Sequence, residues 1–214
     1  MQRTLQPELL DSLPPAHPDA LHNRRDLRLT NLIMGNHRWL ARTLRTALLP
    51  REPTLELGAG TGELAARLAQ NQIPADALDL WPRPDSFPPA RTWHRADLLT
   101  FDGYAPYSAI VGNLIFHQFS APDLAALGAK LRPTARLIIA CEPARRRLSQ
   151  TLFATFAPLL GANHVSLHDA RVSIAAGFRD DELPLTLGLA APEWDCHCFT
   201  TTLGAYRMVA TRRA

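Results

Sequence analysis

Apolar residues in the middle of the chain form short runs that alternate with segments of helical spacing. The runs predict five strands, at residues 54–57, 75–80, 91–98, 108–114 and 135–143. The segments 63–70 and 121–131 predict helices. Apolar strands separated by helices indicate a parallel sheet covered on both faces. Right-handed crossovers then make it a doubly wound α/β sheet.

The segment before the first strand has a different character. Its first twenty residues contain Pro7, Pro14, Pro15 and Pro18 and are expected to be irregular. From Pro18 onward, apolar side chains at helical spacing predict one or two amphipathic helices, broken near Gly35 and Asn36. These side chains are Leu27, Leu29, Leu32, Ile33, Leu40, Leu44 and Leu48. We expect residues 1–50 to form a helical cap on a compact α/β unit, residues 51–214.

The end of the chain predicts further helices and an antiparallel hairpin. Residues 144–160 have a helical pattern, and short helices are expected within residues 162–190. Residues 195–213 read as two alternating strands joined near Leu203 and Gly204. This hairpin at the sheet edge brings the predicted sheet to seven strands, mostly parallel.

Composition excludes several classes of protein. The hydrophobic content of 46% and charged content of 20% are ordinary for a globular chain. No apolar run approaches the roughly 20 residues of a membrane span, so no membrane partner is expected. The first residues do not resemble a signal peptide, which favours a cytoplasmic location. Three cysteines are an odd count and do not suggest a disulfide framework.

The basic charge does not indicate a nucleic-acid partner. The net charge is +3, and Lys130 is the only lysine. The arginines are dispersed, and their only tight cluster is at residues 145–147. A run of three is more often a solvated helix face than a phosphate-binding track.

The stretch TLELGAGTGELAARLA carries the strongest motif. Glu56, Gly58, Gly60 and Gly62 have the spacing E-x-G-x-G-x-G at a predicted turn from strand to helix. Such a turn lets a ligand approach the backbone closely. A phosphate-binding GxxxxGK[ST] loop does not match. A dinucleotide fingerprint would place a glycine or alanine at Glu63, where a carboxylate repels a pyrophosphate.

Three carboxylates follow three successive strands. Glu56, Asp79 and Asp97 are separated by 23 and 18 residues, which suits one strand–helix unit each. They should therefore meet at the same edge of the sheet. Acids at this edge suit a ligand without phosphate, such as S-adenosylmethionine, which has an ammonium group, a ribose diol and an adenine amino group.

With these motifs, the chain resembles the class I S-adenosylmethionine-dependent methyltransferases. The resemblance covers residues 54–143 by motif and extends to the terminal hairpin by topology. It implies a Rossmann-like fold and S-adenosylmethionine as cofactor, with S-adenosylhomocysteine as product. By this resemblance, Asp79 would bind the ribose, Leu80 and Trp81 the adenine ring, and Asp97 with Leu98 the adenine edge. The methionine end would contact Glu56, Gly58, Ala59, Gly60, Gly62 and Asn113.

The segment GNLIFHQFSAPDL bears on the methyl acceptor. It lacks the Pro-Pro run common after this strand in enzymes that methylate DNA bases or glutamine. It resembles the N-x-x-x-H-x-[FL] run of small-molecule methyltransferases, in which the histidine borders the acceptor pocket. His117 is therefore a candidate catalytic base for a hydroxyl acceptor, and the alternative is a wall or structural role.

Five further residues are candidates for contact with the acceptor. Asn36, Arg38 and Trp39 belong to the cap, although an ordinary packed helix with Arg38 solvated is an equal alternative. His164 and His168 are four residues apart and share a helix face. Zinc is not expected, because Cys196 and Cys198 point to the strand face opposite His197.

The sequence thus predicts a methyltransferase for a small organic acceptor, with O- or C-methylation of a phenolic or polyketide-like metabolite of secondary metabolism. The alternatives are an RNA- or protein-modifying methyltransferase, a non-catalytic scaffold of the same fold, and a nicotinamide oxidoreductase. The oligomeric state stays open.

Overall fold

The computed structural model describes residues 1–14, 16–47 and 52–213. A seven-stranded sheet has the order β3-β2-β1-β4-β5-β7-β6. Strands β1 to β5 are parallel, and β7 runs antiparallel to both β5 and β6. The predicted mostly parallel sheet with a terminal hairpin is confirmed. The strands are Thr54–Leu57, Ala75–Asp79, Trp93–Arg95, Ala109–Asn113, Leu137–Pro143, Trp194–Thr200 and Ala205–Arg212, β1 to β7 in order.

The described residues form eight α-helices and two short 3-10 helices around the sheet. The α-helices are Leu9–Ser12, Pro18–Ile33, Asn36–Ala47, Glu63–Gln70, Ala121–Leu131, Arg147–Phe156, His164–Ala176 and Glu182–Thr186, α1 to α8 in order. The 3-10 helices are Phe116–Gln118 and Pro158–Leu160. Among the helices described, none is long and apolar enough to cross a membrane.

The helices cover both faces of the sheet, as a doubly wound fold requires. On one face, Leu40 of α3 and Leu68 of α4 pack on Val111 of β4. On the other face, Leu124 of α5 and Leu183 of α8 belong to a core that includes Ile138 of β5. Fully buried leucines on both sides are the main source of stability, since each contributes roughly 1.5–3 kcal/mol by burial.

The predicted break between the first two long helices is confirmed at Gly35. This glycine has φ +65°, a conformation that ends α2 and lets α3 start in a new direction. Leu48, assigned to the same helical pattern, lies outside the described residues. The division into a cap, residues 1–50, and an α/β unit, residues 51–214, stays a prediction. Leu40 and Leu44 of α3 are themselves part of the sheet's core.

Three predicted boundaries were wrong, each because of a specific contact. Residues 9–12 form α1 instead of irregular chain, since Asp169 accepts hydrogen bonds from the Leu9 and Leu10 amides at 2.7 and 3.1 Å. The third strand is shorter than 91–98, because Asp97 accepts the Leu99 amide at 2.7 Å and turns the chain. The helix predicted at 144–160 begins at Arg147, since Ala144 still bridges to Phe178 beside the sheet.

Candidate functional site

The bend between β1 and α4, residues 58–62, is held open by its glycines. Gly58, Gly60 and Gly62 all have positive φ, between +55° and +74°. A side chain at Gly58 would bring its Cβ to 2.5 Å from Ile115, so this position requires glycine. A Cβ at Gly60 would meet nothing within 4 Å among the described residues. This glycine bend therefore offers bare backbone at the carboxyl edge of the sheet.

Asp79 ties the glycine bend to the end of β2. Its carboxylate accepts the Gly60 amide at 2.7 Å and the Trp81 amide at 2.8 Å. Asp79 is 6% exposed, whereas the next two side chains, Leu80 and Trp81, are exposed. The Arg24 guanidinium of α2 lies 5.5 Å from the centre of the Trp81 ring. A fixed carboxylate beside the exposed apolar side chains of Leu80 and Trp81 is suited to bind a nucleoside.

Glu56 is a buried acid with one oxygen that is unpaired in the described part of the chain. Burial raises the pKa of Glu56 to about 8; a backbone hydrogen bond from Ala65 opposes this shift, and the charge of Asp79 adds to it. Its Oε2 atom is buried without a hydrogen-bond partner among the described residues. A buried acceptor without a donor costs free energy, so this oxygen suits a ligand that donates to it.

Asn113 and Asn36 present two more buried acceptors near Glu56. Asn113 lies two residues beyond Val111, the partner of Glu56 in the sheet, so the two side chains share a face. The amides of Asn113 and Asn36 both donate to Oδ1 of Asn31, at 3.2 and 3.0 Å. The Oδ1 atoms of Asn36 and Asn113 lack a donor within the described chain. Two asparagines and Glu56 thus leave acceptor oxygens on one side of the glycine bend.

His37 completes this group as a neutral side chain. Burial lowers the pKa of His37 to about 4, and the positive charge of Arg67 adds to the effect. Its Nε2 atom lies 3.4 Å from the Asn113 amide nitrogen. A neutral imidazole adds no positive charge here that would repel an ammonium group.

Asp97 and Leu98 occupy the turn after β3. One carboxylate oxygen of Asp97 accepts the Leu99 amide, and the Leu98 carbonyl accepts the Tyr104 hydroxyl at 2.7 Å. Leu98 itself is buried in the core. The structure therefore places both residues at the predicted edge, with the Leu98 carbonyl already engaged.

His117 is clamped between two carboxylates. Its Nδ1 atom donates to Glu142 at 2.6 Å, and its Nε2 atom lies 3.3 Å from Glu8. Burial alone lowers the pKa of His117, but the hydrogen bonds and charges of Glu142 and Glu8 outweigh it and raise the pKa to about 9. His117 is then an imidazolium at neutral pH, and both ring N–H groups are engaged. This geometry favours the structural alternative, while a catalytic role stays a prediction.

The other acceptor candidates lie apart from this group. Trp39 packs edge-on against Phe199 with ring centres 6.0 Å apart, and Arg207 stacks on it at 4.8 Å. Arg38 is exposed, so α3 has the ordinary packed arrangement at these two positions. His164 is exposed at the start of α7. His168 donates to Asp169 at 3.1 Å, close to the Glu8 side of His117.

Sequence reasoning missed Glu8, Glu142 and Asn31. Glu142 accepts hydrogen bonds from the amides of Ile115, Phe116 and His117, and so holds the loop after β4. An acid at the end of the most apolar strand was a signal that could have found it. Glu8 and Asn31 lie in cap segments where no motif marks them.

The donors and acceptors of the site fit a nucleoside with an ammonium group. Unpaired buried oxygens suit a cationic amine, and the Asp79 carboxylate suits a diol. A pyrophosphate would meet Glu56, Glu63 and Asp79 at the glycine bend. Within the described ranges, no three His, Cys, Asp or Glu side chains are placed to hold a metal ion.

Similarity to known proteins is limited in sequence and extensive in structure. No family model matches the chain. Over 101 residues the chain is 34% identical to the mycinamicin-resistance protein MyrB of Micromonospora griseorubida. That match spans 44% of this chain and 32% of the relative, so the chain covers about a third of that protein.

Two solved methyltransferase structures superpose on most of the chain. The plantazolicin methyltransferase BpumL in complex with SAH has a TM-score of 0.73 at 12% identity, over 96% of this chain and 93% of that one. The magnesium protoporphyrin IX methyltransferase ChlM of Synechocystis PCC 6803 has a TM-score of 0.58 at 16% identity, over 89% and 86%. The resemblance first indicated by the glycine motif is thus confirmed in the architecture: the chain has the fold of the class I S-adenosylmethionine-dependent methyltransferases.

Proposed function

We propose that the chain is an S-adenosylmethionine-dependent methyltransferase that acts on a small organic acceptor. The observation that carries the proposal is the unpaired, buried Glu56 oxygen beside an open glycine bend. This oxygen needs a donor, and the ammonium group of the cofactor is a donor of the right charge. The exposed backbone at Gly60 then contacts the bound cofactor.

The chain's own residues would bind and orient the cofactor. Glu56 and Asn113 accept hydrogen bonds from its amino group, and Asp79 accepts them from the ribose hydroxyls. Leu80 and Trp81 cover the adenine ring, and Asp97 lies at its edge. When bound, the cofactor supplies an electrophilic methyl group on a sulfonium, and the protein's task is to align the acceptor with that carbon.

The acceptor is, in our proposal, an oxygen or carbon of a phenolic or polyketide-like metabolite. The loop after β4 lacks the prolines of amino-directed enzymes, which supports this choice over a nucleic-acid base. The structurally similar proteins BpumL and ChlM are named as methyltransferases of plantazolicin and of magnesium protoporphyrin IX, and a small organic acceptor for this chain is in keeping with those names. In this proposal His117 borders the acceptor pocket. Its role there is either structural, holding Glu8 and Glu142, or catalytic, acting as a base after losing a proton.

A mass-spectrometric screen tests this function. The chain is incubated with S-adenosylmethionine and pools of phenols, carboxylic acids and polyketides, and products are sought that are heavier by one CH₂ group. We expect a cofactor-dependent product with the wild-type chain and much less with Asp79→Ala. Asp195→Ala, at an exposed position on the edge strand β6, is the matched control and should retain activity.

Further assays on the same purified protein distinguish two alternative functions. A chain that binds S-adenosylhomocysteine but modifies no acceptor would support the non-catalytic scaffold. Methylation of RNA or protein, with small molecules untouched, would support the macromolecular alternative. Steeply salt-dependent RNA binding would support it further.

A further inference from the structure

Helix α6 carries an apolar face that nothing in the described chain covers. Five large side chains, between 41% and 78% exposed, form the α6 ridge: Leu148, Leu152, Phe156, Leu159 and Leu160. The first three are four residues apart and therefore share one helix face. The last two continue it through the 3-10 helix Pro158–Leu160. Exposed apolar patches of this kind mark protein or membrane contacts.

The ridge projects outward. Helix α6 contributes no buried residue, and its inner contact is with α7, where the Gln150 side chain donates to the Arg171 carbonyl at 3.2 Å. On one flank, the tip of the β6–β7 hairpin approaches Ser149 and adds the exposed Leu203. The ridge is thus a protruding apolar edge of the molecule.

The charges at the start of the ridge are positive, whereas Asp19 of α2 lies near its other end, where it accepts the Asn163 side-chain amide at 3.1 Å. No acidic residue occurs in the sequence between Glu142 and Asp169. Arg146 and Arg147 are exposed at the start of α6, and Arg171 is exposed on α7 beside it. An apolar helix face with arginines at its margin is complementary to a surface that is both apolar and anionic.

The two threonines of α6 form their hydrogen bonds within the helix. The Thr151 hydroxyl donates to the Arg147 carbonyl at 3.1 Å, and the Thr155 hydroxyl donates to the Thr151 carbonyl at 2.8 Å. These groups can leave water at little cost. They also offer few anchors for a protein partner, whose rim normally forms hydrogen bonds.

From these observations we propose that the α6 ridge docks on the surface of an anionic phospholipid bilayer. A second copy of the chain fits less well, because two such surfaces would bring the arginines at the start of α6 close to one another. Docking of this kind needs no spanning helix. It revises the expectation that the chain has no membrane partner, and it is independent of the proposed methyl transfer.

Co-sedimentation with vesicles tests the proposal. The full chain is mixed with phosphatidylcholine vesicles with and without phosphatidylglycerol, at low and high salt. We expect binding to the phosphatidylglycerol vesicles, weakened by salt. Leu159→Glu should lower the partition coefficient about tenfold or more, as loss of one buried leucine implies. Leu185→Glu, at a 65% exposed leucine on α8, is the matched control and should bind like the wild type.

Charge variants and mass measurements complete the test. Arg146→Gln with Arg147→Gln should lower binding about fivefold per arginine, whereas Arg42→Gln with Arg45→Gln on α3 should not. Failure of the wild type to bind phosphatidylglycerol vesicles would overturn the proposal. So would unchanged binding of Leu159→Glu. A dimer by light scattering that Leu159→Glu converts to a monomer would assign the ridge to a second copy.

Discussion

At the scale of single residues, the charge state of Glu56 links cofactor binding to pH. Its pKa of about 8 means that the acid is mostly protonated at neutral pH. An ammonium group favours the carboxylate, so binding should release a proton below pH 8 and affinity should rise as pH approaches 8. Calorimetry with S-adenosylhomocysteine in buffers of different ionisation enthalpy measures this release. Glu56→Gln should abolish it; an undiminished release would locate the proton elsewhere.

The free energy of unfolding of the ligand-free protein should also depend on pH through Glu56. The folded-state pKa of Glu56 lies above the ordinary value of 4.5, so the folded chain retains a proton that the unfolded chain loses. The stability contributed by Glu56 should therefore decrease as pH rises from 4.5 to about 8. Denaturant unfolding across this interval should show a smaller decrease for Glu56→Gln.

Asp79 permits a direct test of the ribose contact. Asp79→Ala removes charge-assisted hydrogen bonds and should weaken S-adenosylhomocysteine binding by about 1–3 kcal/mol. Calorimetry measures the change, with Asp195→Ala as the control. Equal affinities of Asp79→Ala and the wild type would remove Asp79 from the site.

The charge on His117 is a fourth residue-scale prediction. The flanking carboxylates raise its pKa from 6.5 to about 9, so the stability it contributes is present below 6.5 and is lost as pH rises through 9. Its NMR titration should report a pKa well above 6.5, and Glu8→Gln should lower that pKa. A value near 6.5 in the wild type would show that the clamp does not form in solution.

These residues differ in how far the sequence could reveal them. Glu56, Asp79 and Asn113 lie in the last two positions of their strands, and the spacing of the strands was enough to bring them to one edge. The clamp on His117 was hidden, because Glu8 is 109 positions away and Glu142 is 25 positions away. Contacts over such distances depend on how elements pack, and local pattern does not encode that.

At the scale of elements, helix α1 exists because of a tertiary cap. Asp169 of α7 accepts the amides of Leu9 and Leu10, which a side chain within the segment would normally do. Asp169→Ala should destabilise this turn by about 0.5–2 kcal/mol. Amide hydrogen exchange should then accelerate at residues 9–12, while α5, with its own Ser120 capping box, should be unchanged. Unchanged protection of α1 would contradict the capping role.

Element predictions succeeded where local signals were sufficient. The turn at Gly35, the hairpin at Gly204 and the fully buried β5 all follow from glycine positions or apolar runs. They failed where a polar side chain redirected the chain. Asp97 shortens β3, and Asp169 builds α1 in a proline-rich segment. Secondary-structure propensity does not predict which acidic side chain will accept a hydrogen bond from a distant backbone amide.

At the scale of the whole molecule, the strand order explains the position of the site. The order reverses between β1 and β4, the point at which ligands of doubly wound sheets bind. Glu56 is the penultimate residue of β1 and Asn113 the last residue of β4, so both carry side chains to this point. The sequence predicted a parallel sheet, but the insertion of β7 between β5 and β6 follows only from the assembled fold.

The central claim is that the edge of the sheet binds a nucleoside that carries an ammonium group and rejects one that carries a pyrophosphate. Calorimetric titration of the wild-type chain with S-adenosylhomocysteine and, separately, with NADH tests it most directly. We predict saturable binding of S-adenosylhomocysteine and no binding of NADH. Binding of NADH, or the absence of S-adenosylhomocysteine binding, would contradict it.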